Sequence, residues 1–362
     1  MGQQDGTTSN PKAVILHGSQ YTGIQSLRVI AALLVVVLHS MFYTKERLGL
    51  GHYDLSWEVG AAGVDLFFII SGFVMLYSSQ KLLTRPDGWK IFAFRRIIRI
   101  VPLYWLATSL KVLALILAPA EVLHNRLSLS TVTLSYLFLP TRSPSGEINP
   151  LLAVGWTLTF EMFFYFVFLL ALFTRLNVIR FVGVVMILCT IGSFFYRPSW
   201  PPAAVYLDSI VLEFLFGMIL AHLCLTGRRI PPRIAIPLSF LILAAIFIAG
   251  HIPGPRCVKF GLPAFLLCWC AASLESILHK RIPVIVLFLA DASYALYLFH
   301  PLVAPAAPVL LLKMGIQSPW ISISLSVAIA VAVSSIVYRY VDRPITMWSR
   351  KTWLGSGKLR VT

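Results

Sequence analysis

Charge is what this chain of 362 residues most lacks. Only 12% of its residues are Asp, Glu, Lys or Arg, about half the share of a soluble domain of this size. That shortage excludes an ordinary water-soluble fold. Cysteine is scarce too. Of Cys189, Cys224, Cys257, Cys268 and Cys270, all but Cys257 lie in apolar runs, a pattern that suggests neither a disulfide framework nor a zinc site. Acidic residues number 14 against 30 basic ones, for a net charge of +16. The excess invites a nucleic-acid reading. The basic residues are instead spread over the connections between apolar runs, so no nucleic-acid partner is expected. No repeat of 20 to 50 residues and no low-complexity tract stands out. Residues 1–22 are polar, lack an apolar h-region, and read as a loose tail rather than a signal peptide.

What the chain has is apolar length. It is 58% hydrophobic with a mean hydropathy of +0.83, and runs of about twenty apolar residues recur. The class expected is all-α, a polytopic transmembrane helical bundle of about ten spans. They fall near 25–43, 60–79, 100–118, 154–174, 178–196, 205–225, 234–250, 258–276, 284–304 and 319–340. A further interfacial helix is expected within 128–139. The bundle forms one domain, 23–345, between tails 1–22 and 346–362. Alternate connections carry 21 and 8 basic residues, which places both termini in the cytoplasm. "RRIIRIVPLYW" (95–105) and "TGRRIPPR" (226–233) then face the cytoplasm, and the long connection 119–153 faces outward.

This topology sorts the costly polar residues by depth. In "LRVIAALLVVVLHS" (27–40), Arg28 lies at the inner edge and His39 in the outer half. They are eleven residues apart on one helical face, separated by roughly 16 Å, with Ala32 and Val35 between them. Asp65, Glu161, Asp208, Glu213 and His300 also fall toward the outside. Thr157, Glu161 and Tyr165 share one face at i, i+4, i+8, and Ser293, Tyr297 and His300 another at i, i+4, i+7. Ionisable groups in spans cost at least about 2.5–3.5 kcal/mol and usually mark a path or a site. The competing reading is structural: His39–Glu161 and His300–Asp65 as pairs that hold helices together.

The inner arginines have two readings. Arg95, Arg96 and Arg99 are topology determinants or headgroup contacts, or they form an anion site. In the second case Arg95 and Arg99, at i and i+4, clamp phosphates and Arg28 joins them. Asp291 reads as a buried structural partner, Asp342 and Arg343 as a surface cap on the last span, and Trp57 and Tyr104 as interfacial belt. The Ser71–Gly72 pair in "DLFFIISGFVM" (65–75) fits close helix packing, and is compatible with a narrow passage beside it.

Taken in order, "LRVIAALLVVVLHS", "GVDLFFIISGFVM", "FRRIIRIVPLYW", "GWTLTFEMFFY", "LEFLFGMILA", "ASYALYLFHP" and "YRYVDRP" give the chain a resemblance to the acyltransferase 3 family of integral-membrane acyltransferases. Its exopolysaccharide-production members, which lack an added extracellular domain, are the nearest in pattern. The resemblance implies transfer of an acyl group, often acetyl, from cytoplasmic acyl-CoA to a hydroxyl of an extracytoplasmic glycan or lipid-linked sugar. It implies a cell-membrane location and no metal. It makes His39 the catalytic histidine, Arg28 its partner in the first motif, and Arg96 and Arg99 part of the acyl-CoA motif. Glu161 and His300 match recurrent motif positions with less defined roles.

On this expectation the arginines hold the phosphates, and the pantetheine arm runs along the small-residue strip from Arg28 to His39. His39 then acts as general base or forms an acyl-histidine, with Glu161 orienting its ring. Asp65, Ser71, Tyr297 and His300 support the substrates. The rival function is a transporter or flippase that moves a glycan intermediate without chemistry. It predicts an inverted repeat, and no such symmetry is visible.

Overall fold

The computed structural model describes residues 21–49, 57–117, 128–142, 146 and 148–354. Its fourteen α-helices, in chain order, are α1 (Thr22–Leu48), α2 (Ala62–Ser78), α3 (Gly88–Leu117), α4 (Leu129–Tyr136), α5 (Trp156–Phe173), α6 (Val178–Ser193), α7 (Leu212–Leu225), α8 (Pro232–Ala249), α9 (Leu262–Ser273), α10 (Glu275–Leu278), α11 (Val284–Val303), α12 (Ala306–Lys313), α13 (Pro319–Val337) and α14 (Arg343–Leu354). Among the described residues the only β pairing is a lone bridge between Arg142 and Ile148. The all-helical class follows from the bilayer: a chain that cannot reach water must satisfy its backbone internally.

Among the described residues, seven helices are long and apolar enough to cross a membrane. Three shorter apolar helices, 178–193, 209–225 and 257–273, stand where the fifth, sixth and eighth spans were expected. The interfacial helix expected within 128–139 corresponds to α4, tied to α3 by Trp105 Nε1 donating to the Tyr136 carbonyl at 2.9 Å. Three stretches differ from expectation. Helix α3 begins at Gly88, so Arg95, Arg96 and Arg99 sit inside a helix instead of in the connection before it. Part of the expected connection 305–318 is helix α12, and 346–354, expected as tail, continues α14. The pattern of apolar runs predicts no helix there because α14 is amphipathic and basic, not uniformly apolar. Residues 1–20 and 355–362 lie outside the described residues.

Helix α2 sits at the centre of the bundle. In the 58–78 segment 78% of the apolar window is buried, against 17% in α8 at the edge. Its approach to α7 is backbone to backbone. A Cβ added at Gly72 would sit 2.1 Å from the Phe214 carbonyl oxygen, and one at Gly217 would sit 2.0 Å from that of Ile69. Small residues allow such contact where lipid gives helices no hydrophobic drive to associate. Around this seam Phe68, Phe164 and Phe214 stack, with ring centroids 4.5 Å apart in each contact to Phe214. Tyr104, expected at the interface, is buried under Phe138 at a centroid distance of 4.4 Å. The returning segment before α5 covers it.

Two π-helical turns interrupt the regular geometry, at Cys257–Gly261 before α9 and at Tyr338–Asp342 between α13 and α14. Such turns re-aim side chains and recur at functional sites. The first carries Arg256 at its N-cap, and the second ends in Asp342. Both residues prove to be ion-pair partners of groups deep in the bundle.

Candidate active site

A cavity of about 740 Å³ lies between α1, α2, α3, α5, α11 and the α13–α14 junction, within the usual range for small-molecule and cofactor sites. Its wall holds five arginines, Arg28, Arg95, Arg96, Arg99 and Arg343, and three carboxylates, Glu161, Asp291 and Asp342. The balance favours an anion. Arg28 comes from the first turns of α1, and Arg95, Arg96 and Arg99 from one side of α3.

Each arginine of α3 that can be traced is held differently. The Arg96 guanidinium carbon lies 5.8 Å from the Phe92 ring and 5.9 Å from the Tyr165 ring. Its buried Nε has no hydrogen-bond partner among the described residues. Aromatic faces stabilise the cation without using its N–H groups. Arg99 lies 5.1 Å from the Tyr294 ring, and its Nη1 donates to Asp342 Oδ2 at 3.0 Å. Asp342 is 4% exposed. It is therefore a buried ion-pair partner, not the surface cap expected, because the π turn swings it back toward α3.

The face of α5 that carries Thr157, Glu161 and Tyr165 lines the cavity. Glu161 Oε1 accepts from Ser71 Oγ at 2.9 Å and from the Tyr165 hydroxyl in a very short contact. The Ser71–Gly72 pair thus divides its work: Gly72 admits α7, and Ser71 faces the cavity.

His39 and His300 do not line this cavity. They pair with each other, His39 Nδ1 to His300 Nε2 at 2.9 Å, with rings stacked at 5.0 Å and 29°. Phe67 and Tyr297 connect the cavity wall to His300. These two rings meet edge to face at 5.6 Å, and Tyr297 lies 6.1 Å from the His300 ring. Both line the cavity. The Tyr297 hydroxyl is held by Thr157 Oγ1 at 2.8 Å and the Val154 carbonyl at 3.1 Å.

Seven of the ten residues singled out in the sequence therefore share one cavity: Arg28, Arg95, Arg96, Arg99, Ser71, Glu161 and Tyr297. The pairings differ from those expected. Glu161 bonds Ser71 and Tyr165, not His39, which is paired with His300 instead. Asp65 bonds Arg256, not His300. Arg256 Nη2 and Nε reach Asp65 Oδ2 and Oδ1 at 2.8 and 3.1 Å, and Nη2 also donates to the Ala61 carbonyl at 2.9 Å. Asp65 and Ser71 are six residues apart on α2 and so point to different sides. The strip between Arg28 and His39 is also not the passage. Ala32 and Val35 are 0% and 1% exposed. Ala32 packs with Leu296 and Ala330, and the backbone of Gly63 closes over Ala31 and Val35. The open space lies one face over, along Ser71 and Phe67. Sequence alone does not single out Arg256, which reads as a loop charge; its one signal is the buried acidic Asp65 at a neighbouring span end.

Compared with known proteins, residues 21–339 match the acyltransferase 3 family, described as an acyltransferase domain. The chain belongs to that family: it is a membrane protein and an acyltransferase. It is 33% identical over 326 residues to the exopolysaccharide production protein ExoZ of Rhizobium meliloti (strain 1021), covering 88% of this chain and 98% of that one. It is 25% identical over 374 residues to YrhL of Bacillus subtilis (strain 168), provisionally named a peptidoglycan O-acetyltransferase, covering 91% of this chain and 55% of that protein. It is 26% identical over 317 residues to ORF330 of Acidianus two-tailed virus, provisionally named an acetyltransferase, covering 81% and 86%. No solved structure matches.

Proposed function

We propose that the protein takes an acyl group, acetyl in the simplest case, from cytoplasmic acyl-CoA and places it on a hydroxyl of an extracytoplasmic glycan, an exopolysaccharide or its lipid-linked precursor. Both termini lie in the cytoplasm, and the protein resides in the inner membrane. The observation that carries this reading is the cavity that joins five arginines to Tyr297, whose ring packs on His300, the hydrogen-bond partner of His39. The residues fit a phosphate-bearing donor. Cations outnumber carboxylates there, and Arg96 keeps a buried N–H without a partner, a state that ligand binding relieves. The name of the ExoZ relative supports a glycan acceptor.

In this mechanism Arg28, Arg95, Arg96 and Arg99 hold the donor's phosphates by charge-assisted hydrogen bonds. The thioester end reaches His39 once the Phe67 and Tyr297 rings part. His39 removes the proton from the acceptor hydroxyl as its oxygen attacks the thioester carbon. The new C–O bond forms, the C–S bond breaks, and the sulfur leaves with its electron pair and takes the proton back from His39. Attack by His39 itself on the thioester is the other route. Glu161 organises Ser71 and Tyr165 along the channel. The flippase reading has no observation in its favour.

The test is transfer of radiolabelled acetyl from acetyl-CoA to glycan in membranes that contain the protein, with His39→Ala beside the wild type. Transfer by the wild type and near-total loss in a normally inserted His39→Ala protein are expected. Equal transfer by both would overturn the role of His39.

A further inference from the structure

We infer that His300 is a positioning residue that fixes His39 as its Nδ1–H tautomer and so makes Nε2 the atom that takes the acceptor's proton. The inference rests on the role of His39 proposed above and extends it to a single atom.

Only one arrangement of hydrogens satisfies the histidine pair and its neighbours. His300 is 0% exposed, and its Nδ1 lies 3.0 Å from the Leu296 carbonyl oxygen one turn earlier in α11. A carbonyl oxygen only accepts, so His300 Nδ1 carries a hydrogen and donates it. Among the described residues neither histidine ring bonds a carboxylate, and an uncompensated buried charge is expensive. The buried ring is therefore neutral and has one N–H, already used. His300 Nε2 presents a lone pair, and its partner at 2.9 Å is His39 Nδ1. That nitrogen must be the donor. His39 then has its hydrogen on Nδ1, and Nε2 keeps the lone pair that either proton removal or attack on a thioester requires.

The reverse tautomer would set two lone pairs face to face across the 2.9 Å gap and leave His39 with no base on the Nε2 side. The rings around the pair fix its plane: Tyr43 stacks on His39 at 6.2 Å with 24° between planes, and Tyr297 packs on His300. His300 thus orients its partner as the carboxylate of a hydrolase triad orients its histidine, but brings no negative charge to stabilise the imidazolium.

The test uses two variants and one spectrum. In His300→Gln the side-chain oxygen reaches the place of Nε2 and still accepts. His300→Phe fills the space and accepts nothing. His300→Phe is expected to lower kcat about 10- to 100-fold with the KM for acetyl-CoA within about twofold, and His300→Gln to recover most of that loss. A purely structural role would move both variants alike. Full kcat in His300→Phe, or an equal loss in a well-folded His300→Gln, would overturn the inference.

Independently of activity, NMR of wild-type protein carrying 13C,15N-histidine reads the tautomer, with the His39 signals identified by their loss in His39→Ala. A protonated Nδ1 beside an unprotonated Nε2 is expected. A hydrogen on Nε2 would overturn the inference even if every variant failed to fold. An active His39→Ala would instead sink the reading on which it rests, and the two failures are told apart.

Discussion

Arg96 and Arg99 are one turn apart on α3, and their surroundings assign them different tasks. Arg96 lies between two aromatic rings with a buried N–H unused. A ligand phosphate is the natural partner, and a charge-assisted hydrogen bond is worth about 1.5–3 kcal/mol. Arg96→Gln should therefore raise the KM for acetyl-CoA about 10- to 100-fold with a smaller change in kcat, measured by initial rates over a range of donor concentrations. Arg99 is already paired with Asp342, so a phosphate must compete for it. Asp342→Asn keeps the shape and frees the cation. The KM for the donor should fall a few-fold in the same assay, and a rise would show that Asp342 orients Arg99 for the ligand instead of competing with it. That Arg95, Arg96 and Arg99 face one space was legible because their i, i+3 and i+4 spacing survives folding. The roles of Asp342 and Glu161 were not, because a partner contributed by a distant helix leaves no trace in local spacing.

At the scale of elements, packing explains most of what the apolar runs could not. Helix positions follow directly from run length, which is why α5, α6, α7 and α11 lie where hydropathy puts them. Which face of a nearly all-apolar helix is inward is a different question, since polar contrast is weak on every side. Glycines answer it in part. Gly72 and Gly217 mark the α2–α7 seam, and adding a methyl group to either forces atoms within about 2.1 Å. Gly72→Ala and Gly217→Ala should each destabilise the protein by about 1–3 kcal/mol, the usual range for overpacking, seen as a lower melting temperature in detergent. Unchanged melting would mean that the helices slide apart freely.

The Asp65–Arg256 pair joins α2 to the π turn before α9. Glu213 lies fully buried beside it, so the pair anchors a crowded polar cluster. Removing one member should destabilise the fold by about 3–5 kcal/mol. Asp65→Asn with Arg256→Met should recover much of that loss, and a double-mutant cycle on thermal unfolding measures the coupling. Additive effects would mean that the pair is incidental.

The whole molecule joins two ends that the sequence separated by depth: arginines at one, histidines at the other. The sequence placed them on one helix face in α1 and took that face as the route. In the folded protein that face is sealed by α2, α11 and α13, and the open cavity lies beside it, with Phe67 and Tyr297 in its wall. One-helix geometry cannot reveal which neighbour covers a stripe, whereas a cavity is a property of six helices together. On the proposed function, an acyl group given on the cytoplasmic side emerges on a glycan at the other. Its most direct test uses sealed inside-out vesicles, in which the cytoplasmic face is exposed to labelled acetyl-CoA and the acceptor glycan is enclosed. Label is expected on the enclosed glycan, protected from an added glycan-degrading enzyme until detergent is present, and is expected to be lost in His39→Ala. Labelled glycan that the enzyme reaches in intact vesicles would contradict it.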